Sequence, residues 1–60
     1  MTKVRFILDG GFSEVAEANT KFFGMKWKGR VIKETYARFE SGQCAYIKQE
    51  DEGKVWEVVK

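Results

Sequence analysis

Four cations and two rings in this sixty-residue chain have the types and spacing for binding chemistry: Lys26, Lys28, Arg30 and Lys33, interleaved with Trp27 and Tyr36. Lysine and arginine neutralise phosphates and release their counterions, while an indole or phenol ring offers bases a face to stack on, so the pattern suits single-stranded nucleic acid. Aromatic and arginine side chains also dominate protein–protein interfaces. The surrounding segment Lys21–Glu40 holds six basic residues against two acidic ones, and the rest of the chain is net acidic, most densely at Glu50-Asp51-Glu52. Charge is therefore polarised. The isoelectric point of 8.8 falls just short of the value above about 9 expected of a dedicated nucleic-acid domain. The stretch Arg30–Tyr36 also lacks the glycine–aromatic core of an RNP1 motif. Interleaved charges on a strand can equally be no more than its solvated face.

Catalytic chemistry is disfavoured residue by residue. The chain has no histidine, so a serine or cysteine nucleophile would lack its commonest base, and Cys44 alone cannot build a zinc site. Ser13 and Ser41 read better as a helix cap and a turn. The pairs Glu14/Glu17 and Glu50/Glu52 lie on expected surfaces with nothing to desolvate them, which leaves no reason for the shifted pKa that acid–base work needs. Asp9-Gly10-Gly11 has neither the G-x-G-x-x-G spacing nor the lysine of a P-loop. Cys44 cannot form an internal disulfide and reads as a small, buried strand residue in a reducing compartment.

The elements that must position these residues follow from periodicity. Thr2–Leu8 alternates Val4, Phe6 and Leu8 against Lys3 and Arg5, the pattern of a half-buried strand. After Asp9-Gly10-Gly11, Ser13 would cap a helix over Glu14–Phe23, with Val15, Ala18, Phe22 and Phe23 at helical spacing and Gly24 closing it in a left-handed conformation. Lys26–Lys28 and Arg30–Glu40 read as one long strand with a bulge near Gly29, Ser41-Gly42 as a hairpin turn, and Gln43–Gln49 as the next strand. Glu50–Gly53 turns into a last strand over Lys54–Val59. The expected fold is α+β: one small domain over residues 1–60, in order βαβββ, with a mainly antiparallel four-stranded sheet and one helix packed on one face. The longest apolar run, Phe6-Ile7-Leu8, is far short of the roughly 20 residues of a membrane span, and a soluble, unsecreted protein is expected.

Apolar residues occur on both faces of the expected sheet, Ile32 and Tyr36 opposite Val31, Ala37 and Phe39, and Trp56 and Val58 opposite Val55 and Val59. One helix can cover one face only. Either apolar and aromatic surface remains free for a partner, or the sheet coils until both sets share a core.

Several short pieces resemble the Dmd antitoxin family of T-even-like phages: Val4-Arg5-Phe6, Thr35-Tyr36-Ala37, Ala45-Tyr46-Ile47 and Lys54-Val55-Trp56-Glu57-Val58, with order and spacing agreeing nearly end to end. The resemblance implies a phage-encoded inhibitor that binds a bacterial RNase toxin of the RnlA or LsoA kind and fills the groove the toxin needs for RNA. Val31 and Glu40 depart from it, standing where the compared family member has tryptophan and asparagine. Both positions fall in the stretch expected to face the partner.

The residues expected to meet the partner are Trp27, Arg30, Val31, Lys33, Tyr36 and Glu40. No catalysis, cofactor or metal is expected. The chain would act in the cytoplasm of the infected host and be monomeric when free. The alternative is a small single-strand RNA or DNA binder using the Lys26 to Arg38 surface, and a third class is a domain whose partner is another host protein.

Overall fold

The alternation read in the first segment builds a strand that pairs with three others. A computed structural model describes all residues, Met1–Lys60. Strand β1, Thr2–Leu8, turns inward Val4, fully buried, and Phe6, and turns Lys3 and Arg5 outward. A turn at Asp9-Gly10, with Gly10 at φ 81°, sends the chain back along β1 as β2, Gly11–Phe12, and then β3, Ala16–Ala18. Ile7 faces Phe12 whereas Val4 faces Ala16, so four steps on the returning strand match three on β1. One extra residue is accommodated within Ser13–Val15, which makes this a β-bulge.

The expected helix over Glu14–Phe23, and with it the α+β class, is overturned. The chain contains no α-helix; about half of it is strand, and the segment holds β3 followed by a single 3₁₀ turn at Thr20–Phe22. Of the supposed helical stripe only Ala18 is buried, while Val15 and Phe22 are exposed. The burial that occurs has period two: Ala16 and Ala18 inside, Glu17 outside. Alanine favours helices in isolation, but β3 lies between β1 and β6 (Glu34–Phe39) and gains ladder pairing on both edges. Ten residues of helix would be marginal by comparison.

Ser13 is likewise not a helix cap. Its hydroxyl accepts the Phe6 N–H at 2.8 Å and donates to the Glu14 carbonyl at 2.8 Å, supplying the acceptor that the bulge removes from the ladder.

The long strand expected from Lys26 to Glu40 is also divided. Lys26–Trp27 (β4) and Arg30–Val31 (β5) form a separate two-stranded hairpin in which Lys26 faces Val31 and Trp27 faces Arg30. Lys28 (φ 51°) and Gly29 (φ 79°) are its two turn residues, and positive φ at both positions is the signature of the type I′ turn that suits twisted hairpins. The expected bulge at Gly29 is therefore a reversal of direction.

β6 then pairs with β7, Cys44–Lys48, across the turn expected at Ser41-Gly42. The Phe39 N–H donates to Gln43 and the Gly42 N–H to Phe39, with Gly42 at φ 95°, the geometry of a three-residue hairpin loop. After a second 3₁₀ turn at Gln49–Asp51, β8 (Trp56–Val58) returns beside β1. The main sheet runs β8–β1–β3–β6–β7, antiparallel throughout, with β2 extending the β3 side of β1.

The core explains how so small a sheet encloses anything. Six side chains are fully buried: Val4, Ala16, Ala18, Ala37, Ile47 and Trp56. Three are alanines in adjacent registers, Ala18 opposite Ala37 and Ala16 opposite Val4, which leaves the concave face room for the Trp56 indole. Phe23 packs on that indole at 6.0 Å, and Phe6 and Phe39 lie 5.8 Å apart beside it. The Trp56 indole N–H donates to the Lys48 carbonyl at 2.8 Å, which satisfies a buried donor and ties β8 to the end of β7. No buried side-chain polar atom is left unpaired.

Candidate partner-binding surface

Side chains that alternate away from the core form a second, outer face. On β6 and β7 these are Glu34, Tyr36 and Arg38, and Cys44, Tyr46 and Lys48, all exposed. Cys44 was expected to be buried and is not; strand parity turns it to the outer face. Tyr36 stands directly across from Tyr46, and because the Phe39 and Gln43 pair is hydrogen-bonded, their own pair is of the closer, non-hydrogen-bonded kind. The two rings meet edge to face with centroids 4.9 Å apart. The Tyr46 hydroxyl donates to the Glu34 carboxylate on the neighbouring strand. That hydrogen bond, reinforced by desolvation and by the Glu34 charge, holds the phenol above its ordinary pKa.

The β4–β5 hairpin stands beside this face. It buries nothing, and Trp27 is 66% exposed. Between hairpin and sheet lies an open concavity of about 560 Å³ lined by Trp27, Lys28, Arg30, Val31, Ile32 and Lys33 from the hairpin side and by Glu34 and Tyr46 from the sheet. The Lys28 ammonium lies 5.9 Å from the centre of the Trp27 ring. The only ion pair of the molecule joins Arg5 to Glu57 at 2.7 Å, so Lys28, Arg30 and Lys33 have no carboxylate partner.

Of the six residues expected from sequence, Trp27, Arg30, Val31 and Lys33 are brought together in this concavity. Tyr36 adjoins it through Tyr46. Glu40 does not belong to it: it follows β6 at the opposite end and borders a separate depression with Met1, Lys3, Val15, Glu17, Arg38 and Phe39. The acidic turn contributes only Glu50, which shares a small hollow with Lys33, Glu34, Lys48 and Gln49.

Tyr46 was missed as a site residue although its signal was present. Counting outward from the Ser41-Gly42 turn places it opposite Tyr36. Ile32 lies in the concavity but outside the six expected residues, because its chain segment reads as one continuous strand and hides the break between β5 and β6.

No group of three or more histidine, cysteine or carboxylate side chains converges anywhere in the fold. The arrangement can stack planar groups on exposed rings and pair anions with free cations. Neither a protein-family model, nor a curated protein, nor a solved structure matches the chain.

Proposed function

We propose that this protein is a phage antitoxin that binds a bacterial RNase toxin of the RnlA or LsoA kind and occupies its RNA-binding groove in the cytoplasm of the infected cell. The observation that carries the proposal is the concavity in which Trp27, Arg30, Val31 and Lys33 converge outside the core, with unpaired cations and exposed rings. Such a surface supplies the anchor types that dominate interfaces without any catalytic group. The resemblance to the Dmd antitoxins falls mainly on the framework, since its four pieces contribute Val4, Ala37, Ile47 and Trp56 to the core. It also includes Tyr36 and Tyr46 on the outer face.

Charge decides how such a complex would dock. An RNase groove is basic, so Trp27, Tyr36 and Tyr46 would cover the floor on which bases stack, and Glu34 and Glu50 would approach the groove cations. Lys28, Arg30 and Lys33 would require carboxylates on the groove wall.

Co-expression with a toxin of this kind tests the proposal. The protein should restore growth, and Arg30→Glu should abolish rescue with an unchanged melting temperature, because an exposed charge reversal shifts stability by less than about 0.5 kcal/mol. Glu40→Lys, in the separate depression, should leave rescue intact. Failure of the unmodified protein to bind or neutralise any such toxin sinks the proposal.

The exposed rings beside unpaired cations also favour a second reading, a single-strand nucleic-acid binder using the Lys26 to Arg38 surface. It predicts binding to fluorescent single-stranded RNA that falls steeply with salt, whereas a protein inhibitor should hold its partner at moderate salt.

A further inference from the structure

The two edges of the main sheet are unequally protected. On the β8 edge, the Val59 N–H bonds to Lys3 and the Ile7 N–H bonds to Val55 on the β1 side, which turns the backbone groups of Trp56 and Val58 outward. The chain covers part of that edge itself: the Gly53 N–H donates to the Trp56 carbonyl, and Glu52 lies beside Trp56 as a short bridge.

At the β7 edge, the Phe39 N–H bonds to Gln43 and the Gln49 N–H to Lys33, so odd-numbered residues of β7 face β6 and the even-numbered Cys44, Tyr46 and Lys48 face out. The Lys48 carbonyl is taken by Trp56. The backbone N–H and C=O groups of Cys44 and Tyr46 have no strand beside them, since β7 ends the sheet.

Most of the usual guards of a free edge are absent there. Proteins blunt such edges with proline, bulges or several charges, yet β7 keeps one unbroken register with β6, the chain has no proline, and Lys48 is the strand's only charge.

We infer that the β7 edge is a binding site for an extended, acidic peptide segment of a partner protein, which adds as a further strand through backbone hydrogen bonds to Cys44 and Tyr46. Backbone pairing supplies the docking geometry and side chains at alternate positions supply the selectivity. Outer-face side chains of the added strand would lie beside Tyr46 and Lys48, next to the concavity that holds Lys28, Arg30 and Lys33. Those four cations have no ion-pair partner, and they outnumber the carboxylates bordering the same region, Glu34 and Glu50, of which Glu34 already accepts the Tyr46 hydroxyl. Carboxylates at alternate positions of the incoming strand answer that excess. A second copy of this chain would bring like charges together instead.

The inference is independent of the antitoxin reading and is tested without a toxin. The probe is a fluorescein-labelled hexapeptide alternating glutamate with valine, titrated at low ionic strength. Binding should vanish when glutamate is replaced by lysine. N-methylation of the alternate amides that face β7 should weaken binding by about tenfold or more, as the loss of one or two hydrogen bonds implies, while methylation of the other alternate set should be tolerated.

Cys44→Pro removes an outward N–H without touching the β6 ladder, so it should weaken binding about as much as those methylations and preserve the circular dichroism spectrum. If that variant misfolds, alkylating Cys44 with a bulky maleimide obstructs the outer face beside the same edge in the native protein. Equal binding by both methylated peptides overturns the inference. So does peptide binding unaffected by either block at Cys44, since that would mark simple polyanion attraction. Sedimentation showing a peptide-free dimer that Cys44→Pro dissolves would overturn it in favour of self-pairing.

Discussion

The main sheet and the β4–β5 hairpin are built from the same kinds of residue and do opposite work. Each carries a tryptophan. Trp56 is 1% exposed, its ring is packed on Phe23 and its N–H is bonded to Lys48, whereas Trp27 is 66% exposed on a hairpin that buries none of its own residues. Burial, not residue type, separates the ring that holds the fold from the ring that is free to bind. In a chain this short the separation matters, because a domain of about 60 residues buries only about 60% of its unfolded surface and has little stability to spare. Placing Lys26, Lys28, Arg30 and Trp27 on a hairpin outside the core lets that surface vary at small cost to the sheet.

The tryptophans themselves are the sharpest test of that division and carry the largest expected effect. Trp56→Ala should cost about 3–5 kcal/mol, comparable to the whole stability of a domain of this size, and leave the chain unfolded by circular dichroism. Trp27→Ala should change the urea midpoint little, within the roughly 0.5 kcal/mol usual for surface sites, yet lose partner binding. Comparable destabilisation by both would show that the hairpin belongs to the core after all.

The alanine registers come next. Ala37, opposite Ala18, is fully buried in the cluster that holds Trp56. Ala37→Leu should overpack the concave face at a cost of about 1–3 kcal/mol, seen as a lowered melting temperature, while Arg38→Leu on the adjacent outward position should not. If Ala37→Leu stabilises, the alanines are leaving a void rather than setting the curvature.

These contrasts also explain what could be read from the chain in advance. β1, the Ser41-Gly42 turn and β7 were legible because each combines an alternating pattern with clear punctuation. β3 was not: three residues give too little pattern, and Ala16 and Ala18 carry a helical propensity that only pairing on both edges overrides. Trp27, Arg30, Val31 and Lys33, neighbours in the chain, also come together in the fold, but continuity along the chain misleads beyond them. It joined Glu40 to a surface it does not share and passed over Tyr46, which enters by strand register rather than by sequence proximity.

A smaller effect probes the hairpin alone. Lys28 holds φ 51° without the tolerance that asparagine or glycine has there, and it is the only non-glycine residue of the chain with positive φ. Lys28→Asn should therefore stabilise by a few tenths of a kcal/mol up to about 1 kcal/mol, because Asn-Gly is the preferred type I′ pair. Gly29→Ala should destabilise by about 1 kcal/mol, since φ 79° strains an alanine. Hydrogen exchange should show both changes confined to residues 24–32, with the sheet amides unaltered. Broad changes across β6 and β7 would mean that hairpin and sheet fold as one unit and that the division is false.

The smallest effect lies where the two regions meet, at the Tyr46–Glu34 contact on the sheet wall of the concavity. The Glu34 hydrogen bond, with lesser help from desolvation and nearby charge, raises the Tyr46 pKa above the ordinary phenol value near 10. A raised pKa means that the folded state favours the protonated phenol. The contact thus contributes its full stability below about pH 10 and loses it as pH rises through the folded-state value. Tyr46 is 51% exposed, so solvent screens the interaction and the change in melting temperature should be slight. Absorbance at 295 nm reads the titration directly. A late-ionising component should be present in the native protein, absent in Tyr46→Phe and shifted to lower pH in Glu34→Gln. Since Glu34 and Tyr46 both line the concavity, fixing this phenol also fixes one wall of the space that Trp27 and Arg30 line. Glu34→Gln should therefore weaken partner binding more than it weakens the fold. An unchanged titration curve in Glu34→Gln would show that the phenol is free, and that the sheet lends the hairpin a ring but not a rigid one.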